Sequence, residues 1–303
     1  MPGVVFILNG AAGANRADEA RESIARVAAE SGAIARIQIA GSGVEICEFA
    51  RLAVKEGAVA VVAGGGDGTV NAVASTLLGS EVALGVLPLG TLNHFAKDLG
   101  IPLDIEAATR NIFQGRQVSV DVGEVNGRIF LNNSSLGVYP RVVRYREAHR
   151  AQGHNKWVAF VRAILLVLRR HALFHVRLRT DRDKELSRAT AFLFVGNNEY
   201  EMTGMRIGAR KSLDAGNLWV CLPRRGGRAD LLRVALRALL GRLQDSDLHV
   251  LGAREMVIET GKKRPSVATD GEVATMVAPL KYRILPRALK VIVPAANGIE
   301  PDA

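Results

Sequence analysis

The sequence is poor in cysteine, and its two cysteines lie far apart. Cys47 and Cys221 form no CxxC pair and have no spacing typical of a metal site. Isolated cysteines of this kind are usual in reducing compartments, where thiols are structural. We therefore expect a cytoplasmic protein without a disulfide framework and without a cysteine-based metal centre.

Long hydrophobic runs are also missing. No Lys or Arg precedes Arg16, and the first apolar run, Val4 to Leu8, is short enough to be a strand, so we predict no signal peptide. The longest apolar stretch, Trp157 to Leu168, contains Arg162 and is too short to span a bilayer. We expect a soluble protein that associates with a membrane at most peripherally.

Several motifs that mark common enzyme classes are absent. There is no GxSxG elbow, no Walker A lysine, no protein-kinase HRD or DFG set and no zinc-type ligand spacing. The formal net charge of +10 favours an acidic partner such as nucleic acid, an anionic membrane or a phosphorylated substrate. Aromatic residues make up only 5% of the chain, which gives few stacking platforms and argues against nucleic acid.

A glycine-rich turn is the most informative stretch that the chain does contain. The apolar run Val59 to Val62 leads into Gly64-Gly65-Gly66-Asp67-Gly68, and helical periodicity follows from Val70. A strand, a tight turn and a helix in this order place free N–H groups and the positive end of a helix dipole at the turn, which favours phosphate. Asp67 would repel a bare phosphate, so it suits a cation such as Mg²⁺ or a hydroxyl donor.

The 303 residues are enough for two domains. Strands alternate with helices up to about residue 115, which predicts a three-layer α/β domain with a parallel sheet. After that point we predict a hairpin turn at Asn126-Gly127, strands at 173–179, 189–195, 217–222, 247–259 and 266–269, and one helix at roughly 228–241. The later strands predict a β-rich, mostly antiparallel, sandwich-like domain. We place the first domain at 1–125 with strands returning at about 280–295, and the second at 126–279. In parallel sheets ligands bind at the carboxyl ends of strands, where the turns at 9–13, 64–68 and 90 coincide.

Three further groups of residues each have two interpretations. Thr91 and Asn93 can reach a ligand over the sheet edge or cap the helix that begins there. Asp270-Gly271-Glu272 can supply a general base or form a solvated turn. The basic, aromatic segment 141–171 suits a membrane interface, or is an amphipathic helix packed on its own domain.

Taken together, several motifs resemble those of the bacterial diacylglycerol-kinase-like lipid kinases. The family's nucleotide-binding motifs resemble Gly65 to Asn71 and Pro88 to Pro102, and its late acidic motif resembles Asp270-Gly271-Glu272. Shorter matches are Asp121-Val122-Gly123, Val195 to Asn198 and Leu213 to Gly216. The resemblance runs from Val4 to about Val293, and the order of the motifs makes it specific.

The resemblance implies a fold similar to NAD kinases and sphingosine kinases, with ATP bound in the cleft between the two domains. It implies that Glu272 is the base that deprotonates a lipid hydroxyl, with Asp270 as a second catalytic carboxylate, and that Asp67 acts through Mg²⁺. Asp121 and Asp214 are the further metal ligands that it suggests. The residues that it assigns to ATP are Asn9, Gly65, Gly66, Asp67, Gly68, Thr69, Asn71, Gly90, Thr91 and Asn93.

The chain departs from the family pattern at four places. The first turn reads Asn9-Gly10-Ala11-Ala12-Gly13-Ala14, whereas the family has Asn-Pro-x-Ser-Gly followed by a basic residue. Ala40 stands where a threonine is frequent, His94 where aspartate is frequent, and Ala215 where a second acidic residue is frequent. The changes at 9–14 and at His94 leave open an inactive member that binds nucleotide or membrane. Among enzymes, the alternative is a soluble NAD-kinase-like kinase.

The prediction from the sequence is an ATP- and Mg²⁺-dependent kinase for a hydroxyl of a diacylglycerol-like membrane lipid. We expect it at the cytoplasmic membrane face, on an anionic surface and without nucleic acid. A homodimer is compatible with this prediction.

Overall fold

A computed structural model describes residues 3–10, 14–137, 173–201, 210–224, 237 and 245–295 of the chain. The chain forms two units, Met1–Val120 with Arg287–Ala303 (unit 1) and Asp121–Pro286 (unit 2). The predicted basic segment 141–171 and the turn residues 11–13 lie outside the described residues, as does the predicted helix 228–241 except for Arg237.

Unit 1 alternates strands and helices. Its four parallel strands lie in the order β2-β1-β3-β4. All residues of β3 and β4 are buried, as expected for parallel strands that are covered on both faces. The elements are β1 Val4–Asn9, α1 Ala14–Ser31, β2 Ala35–Ala40, α2 Gly43–Lys55, β3 Ala60–Gly65, α3 Asp67–Leu77, β4 Ala83–Pro88, α4 His94–Asp98 and α5 Ile105–Gln114.

The helices of unit 1 cover both faces of this sheet. Crossover connections between parallel strands are right-handed, which puts α1 on one face and α2 and α3 on the other. In agreement, α1 packs against α5, and α2 packs against α3. The predicted three-layer α/β domain with a parallel sheet is therefore confirmed.

Helix α5 is an element that the sequence analysis did not predict. It begins where Asp104 accepts a hydrogen bond from the Ala107 N–H at 2.9 Å, and its buried residues include Ile105, Ala108 and Ile112. Glu106 of this helix binds Arg26 of α1 at 2.7 Å and Arg110 of its own next turn at 2.9 Å. These ion pairs link α5 to α1 at the surface.

Unit 2 consists of two sheets that share one hydrophobic core. One sheet has the antiparallel order β12-β11-β10-β7-β14-β15. The other contains β16-β13-β8-β9, with β5 paired to β16 and β6 paired to β5. This antiparallel β architecture confirms the predicted fold class of the second half. The strands are β5 Arg116–Val125, β6 Arg128–Phe130, β7 Asn133–Gly137, β8 Phe174–Thr180, β9 Glu185–Thr190, β10 Phe192–Asn197, β11 Leu218–Pro223, β12 Leu248–Ala253, β13 Glu255–Thr260, β14 Ser266–Thr269, β15 Glu272–Thr275 and β16 Leu280–Val293.

The hairpin predicted at Asn126-Gly127 is confirmed, but two predicted strands are each divided. Asn126 and Gly127 have φ values of 48° and 81°, which is the geometry of a two-residue hairpin turn between β5 and β6. The strand predicted at 247–259 is β12 and β13, which belong to different sheets. The strand predicted at 189–195 contains the end of β9 and the start of β10, also in different sheets. No Gly or Pro lies between β9 and β10, and Gly252 near the end of β12 does not have the positive φ of a glycine turn.

Strand β16 belongs to both units. Its residues Leu280 to Arg283 pair with β13, and Val291 pairs with Leu84 of β4. Arg287, where unit 1 resumes, has a φ of 50°. The prediction assigned the whole range 280–295 to the first domain, whereas the structure places Leu280 to Pro286 in unit 2.

Both cysteines are unpaired. Burial raises the pKa of Cys221 to about 12, so its thiol stays protonated and behaves as a small apolar group. No helix in the described part of the chain is both long and apolar enough to cross a membrane.

We predict that Glu106→Gln lowers the melting temperature in a pH-dependent way. Hydrogen bonds from Arg26 and then Arg110 lower the pKa of Glu106 from 4.5 to about 2. A lowered pKa stabilises the folded state above the unfolded value, and this contribution is lost as the pH falls towards 2. The difference in melting temperature between wild type and variant should therefore be largest above pH 5 and shrink towards pH 2.

The exposed Glu48 in α2 provides the control, because Glu48→Gln removes a carboxylate that has no ion pair among the described residues. A Glu106→Gln effect that is independent of pH would contradict the assignment to these ion pairs.

Candidate active site

The turn between β3 and α3 requires glycine for packing. A Cβ on Gly65 would lie 2.6 Å from the Cβ of Thr69, and a Cβ on Gly64 would overlap the side chain of Leu8. Val70 then donates its N–H to the Gly66 carbonyl and closes the first helical bond of α3. The chain therefore turns from strand to helix with no side chain between them.

A second turn, after β4, lies directly against the first. The N–H groups of Leu89 and Gly90 both donate to the Gly65 carbonyl at 3.1 Å. A Cβ on Gly90 would overlap the Cα of Gly66, whereas a Cβ on Gly66 would lie at an ordinary 3.5 Å from the Cα of Gly90. The two backbones thus approach as closely as they do only because Gly90 has no side chain.

Asp67 and Asn93 hold the second turn in a way that the sequence did not predict. Asp67 Oδ1 accepts a hydrogen bond from the Phe95 N–H at 3.2 Å, so a residue of α3 caps α4. Asn93 has the N-cap position of α4, but its side chain forms no capping bond. Instead its Nδ2 donates to the carbonyls of Gly90 at 2.9 Å and Pro88 at 3.3 Å.

Two side chains from the β1–α1 region complete this edge of the sheet. Asn9 Nδ2 donates to Thr69 Oγ1 at 3.0 Å. Arg16 Nη1 donates to the Leu89 carbonyl at 3.1 Å and to the Gly90 carbonyl at 3.4 Å. Arg16 was not predicted as a site residue. One signal was available in the sequence. The family has a basic residue directly after the first turn, this chain lacks it, and Arg16 is the first basic residue that follows.

The structure therefore brings most of the predicted ATP-binding residues together in unit 1. Gly68 and Asn71 lie in α3, and Thr91 is exposed in the turn after β4. His94 is exposed and is the first residue of α4. The N–H groups in the first turn of α3 have no acceptors within the helix, and the Arg16 guanidinium adds positive charge nearby. This arrangement can bind a polyphosphate, and the Asp67 carboxylate can bind a cation.

In unit 2 the predicted acidic motif forms a two-residue hairpin turn. Asp270 and Gly271 have φ values of 47° and 88°, and Thr269 pairs with Glu272 across the turn. The two carboxylates therefore do not lie along one extended strand, because the chain reverses between them. Asp-Gly is the preferred dipeptide for this turn, since both central residues need positive φ.

The Asp270 carboxylate binds three successive backbone N–H groups between β6 and β7. Its distances are 2.7 Å to Leu131 N, 2.8 Å to Asn132 N and 3.1 Å to Asn133 N. The Asp270 N–H in turn donates to the Asn133 carbonyl at 2.9 Å. Asp270 therefore fixes the chain where it passes from one sheet of unit 2 to the other.

The carbonyls of this link are bound by side chains from elsewhere in unit 2. The buried Asn197 donates Nδ2 to Leu131 O at 2.8 Å, and Arg210 donates to the same carbonyl at 2.6 Å. Tyr200 donates its hydroxyl to Asn132 O at 2.9 Å. An irregular segment is thus fully hydrogen-bonded within the unit, which a buried backbone requires.

Glu272, the predicted base, is exposed and points to a cation. Its Oε2 lies 2.6 Å from Nη2 of Arg128, the first residue of β6. Both residues are next to hairpin turns, since Arg128 pairs with Val125 and Glu272 pairs with Thr269. The carboxylate is therefore presented at the surface of unit 2 with its direction set by a guanidinium.

The two other predicted metal ligands, Asp121 and Asp214, are both in unit 2. Asp121 lies in β5, and Asp214 lies in the loop before β11. The buried Asp121 accepts a hydrogen bond from the Gly216 N–H at 2.6 Å and donates its own N–H to the Leu213 carbonyl. The exposed Asp214 accepts a hydrogen bond from the Ser212 hydroxyl at 2.7 Å. Among the described residues, no cluster of three or more His, Cys, Asp or Glu side chains could hold a metal. The metal-binding role of Asp121 and Asp214 stays a prediction.

Comparison with known families agrees with the motifs. Residues 3–125 match the model of the diacylglycerol kinase catalytic domain. Residues 134–293, more than half of the chain, match the model of the YegS C-terminal NAD kinase beta sandwich-like domain. The family resemblance inferred from the sequence is thereby confirmed.

Similar proteins include two named Probable lipid kinase YegS-like. The one from Klebsiella pneumoniae (strain 342) is 37% identical over 144 residues, 46% of this chain and 48% of that protein. The one from Yersinia pestis (strain Pestoides F) is 37% identical over 141 residues, 45% and 47% of the two chains. The chain thus spans about half the length of the curated relatives it matches.

Solved structures share the fold. A crystal structure of a diacylglycerol kinase from Bacillus anthracis str. Sterne has a TM-score of 0.72 at 21% identity and covers 97% of both chains. A second crystal structure from that organism has a TM-score of 0.80 at 22% identity and covers 97% of this chain and 98% of that one.

We predict that Asp270→Asn destabilises unit 2 by about 2–3 kcal/mol, because the amide loses the charge and turns an N–H₂ towards backbone donors. Chemical denaturation followed by tryptophan fluorescence measures this, since Trp219 lies in β11 of the same unit. Asp214→Asn is the control, as Asp214 is exposed, and its change should stay within about 0.5 kcal/mol. Equal effects of the two substitutions would contradict the role given to Asp270.

We also predict opposite outcomes for alanine at the two facing glycines. Gly90→Ala should cost about 1–3 kcal/mol of stability, because its Cβ would overlap the backbone at Gly66. Gly66→Ala should be nearly neutral, because its Cβ meets only an ordinary contact and its φ of −91° is accessible to alanine. The thermal unfolding of both variants tests this, and a Gly66→Ala variant less stable than Gly90→Ala would refute it.

Proposed function

The chain belongs to the family that joins a diacylglycerol kinase catalytic domain to a YegS C-terminal NAD kinase beta sandwich-like domain, and from this premise we propose that it is an ATP-dependent lipid kinase. Membership in this family indicates a kinase that transfers a phosphoryl group. The proposed acceptor is a hydroxyl of a diacylglycerol-like membrane lipid at the cytoplasmic face. The observation that carries the proposal is the pair of turns that meet at Gly66 and Gly90 beside the start of α3.

This pair of turns supports phosphate binding on physical grounds. The positive end of the α3 dipole and its unpaired N–H groups favour an anion, and the glycines admit one close to the backbone. Arg16 contributes a guanidinium at the same edge, where it donates to the turn after β4. We propose that it takes the place of the basic residue that is missing after Gly13, and that Thr91 and Asn71 line the nucleotide site.

The residues of unit 1 also fit a magnesium ion. Asp67 offers a carboxylate oxygen, the hard ligand that Mg²⁺ prefers. The lack of a further acidic cluster in the described residues fits an ion that takes its other ligands from phosphate and water, as Mg²⁺ does in kinases. When bound there, Mg²⁺ would neutralise charge on the phosphates.

Glu272 is the proposed general base. The lipid hydroxyl loses its proton to the Glu272 carboxylate while its oxygen attacks the γ-phosphorus of ATP, and ADP leaves. Arg128, at 2.6 Å, orients this carboxylate. Asp270 is proposed to act indirectly, by fixing the turn that carries Glu272.

The test of the proposed function is a phosphoryl-transfer assay with γ-labelled ATP and Mg²⁺. One arm contains diacylglycerol in mixed vesicles, a second contains total bacterial lipid and a third contains NAD. Label in a lipid product supports the proposal. Label in NADP would establish a soluble NAD-kinase-like activity instead, and ATP binding without transfer in any arm would identify an inactive member.

For Asp67 we predict that Asn and Ala have different effects. Asp67→Asn keeps an oxygen that can accept the Phe95 N–H but removes the charge, so transfer should fall about a hundredfold while the melting temperature is unchanged. Asp67→Ala should lower both activity and melting temperature. Magnesium titrations of thermal stability with ATP present give an independent readout. Near-normal activity of Asp67→Asn would show that the residue serves only as a helix cap.

For Glu272 we predict that Gln lowers turnover by a factor of about 10² to 10⁴, because the amide cannot accept a proton. The KM for ATP should stay nearly constant. Glu255→Gln removes another exposed carboxylate of unit 2 and serves as the matched control. If Glu272→Gln turns over like this control while Asp67→Asn does not, the base is Asp67.

A further inference from the structure

Three cationic side chains and a histidine meet at one edge of the unit 2 sandwich, and we call this group the cationic edge. They are Lys184 and Arg188 on the β9 side, Arg224 after β11, and His249 in β12. Strand β9 ends one sheet and β12 ends the other within the described residues. Leu186 of β9 and Leu251 of β12 both pack against the shared core.

Alternation along the strands directs these cations towards each other. Side chains on a strand alternate between its two faces, so Arg188 lies on the same face of β9 as Leu186, and Lys184 directly precedes the strand. His249 lies on the same face of β12 as Leu251 for the same reason. Because both leucines border the same core, the cations lie around its rim at this edge.

Hydrogen bonds tie the cationic edge together through neutral acceptors. Arg188 Nη2 donates to the Arg224 carbonyl. Arg224 donates its Nε to the Leu248 carbonyl at 2.8 Å and its backbone N–H to the Asp247 carbonyl at 3.0 Å. These bonds position the guanidiniums without neutralising their charge.

Nearby surface arginines of unit 2, in contrast, are paired with glutamates. Arg177 binds Glu185 at 2.5 Å, Arg179 binds Glu259 at 2.8 Å, and Arg283 binds Glu124 at 2.9 Å. None of the described carboxylates forms an ion pair with a member of the cationic edge. The acidic side chain just before β12, Asp247, is bound by Arg237 at 2.6 Å.

The positive charge at this edge affects the pKa of His249. Burial lowers the pKa of His249, and the positive charges of Arg188, Arg224 and Lys184 lower it further. The three charged side chains that lower this pKa are thus all cations. An anion placed among them would remove part of this repulsion and raise the pKa of His249.

We propose that the cationic edge binds the phosphate headgroup of an anionic phospholipid and so docks unit 2 on a membrane surface. Guanidinium and ammonium groups that form no ion pair with a described carboxylate match phosphate in charge and hydrogen bonding. Leu186 and Leu251 provide an apolar border directly beneath them. This surface is separate from the proposed catalytic residues, so its binding is tested without ATP and independently of kinase activity.

The experiment is co-sedimentation of the full chain with vesicles of phosphatidylcholine that contain 30% phosphatidylglycerol. The triple variant Lys184→Gln, Arg188→Gln and Arg224→Gln removes three charges of the cationic edge. The matched control Arg177→Gln, Arg179→Gln and Arg283→Gln removes the same number of charges from the paired arginines. The first should lower the partition coefficient about a hundredfold at low salt, and the control should lower it far less.

Two outcomes would overturn the proposal. Equal losses in both triple variants would show a response to net charge alone. Unchanged vesicle binding together with aggregation of the first variant would show that these cations only protect the edge strands from pairing with other molecules. If the triple variant does not fold, Lys184→Gln alone should still weaken binding severalfold, because the exposed Lys184 side chain makes no bond within the described residues.

A second measurement needs no substitution. The pKa of His249, followed by NMR, should rise when dihexanoyl phosphatidylglycerol is added and stay constant with dihexanoyl phosphatidylcholine. Inorganic phosphate at the same concentration distinguishes a lipid surface from a site for free phosphate. A rise with inorganic phosphate that equals the rise with the anionic lipid would contradict membrane docking, and no rise with either would rule out an anion site at this edge.

Discussion

Unit 1 depends on a close approach of two backbones, where the turn after β3 meets the turn after β4. Gly66 and Gly90 face each other with no room for a Cβ on Gly90, and the Leu89 and Gly90 N–H groups of the second turn both donate to the Gly65 carbonyl of the first. Asn93, Arg16 and Asp67 then hold the second turn in place. The start of α3 and the start of α4 lie at the same edge as a result. We propose the phosphate site at this edge because the helix dipole of α3 favours an anion there.

In unit 2 a carboxylate, that of Asp270, holds an irregular backbone segment in place. The link from β6 to β7 is irregular, and its N–H groups would be costly to bury without partners. Asp270 accepts three of them, while Asn197 and Tyr200 bind the carbonyls. The same turn presents Glu272 at the surface beside Arg128. In both units an acidic residue of a family motif thus has a structural partner in the backbone, in addition to the chemistry proposed for that site.

The sequence was sufficient to predict elements that depend on local signals. The parallel sheet follows from alternating strands and helices, and the Asn126-Gly127 hairpin from its turn residues. Contacts between distant residues could not be predicted in this way. The bond from Asp67 to Phe95 and the bonds from Asp270 to Leu131 to Asn133 depend on how the turns pack together, because one carboxylate type can serve as cap, metal ligand or base. The split of β9 from β10 was missed because no Gly or Pro marks it.

The most direct test of the account is hydrogen–deuterium exchange of the backbone amides with and without ATP and Mg²⁺. We predict slower exchange at Asp67, Gly68 and Thr69 in the first turn of α3, where the N–H groups would bind phosphate. Exchange in the surface helix α5 should not change. Unaltered exchange at the start of α3, with protection elsewhere in the chain at saturating nucleotide, would contradict the phosphate site on which the proposed function depends.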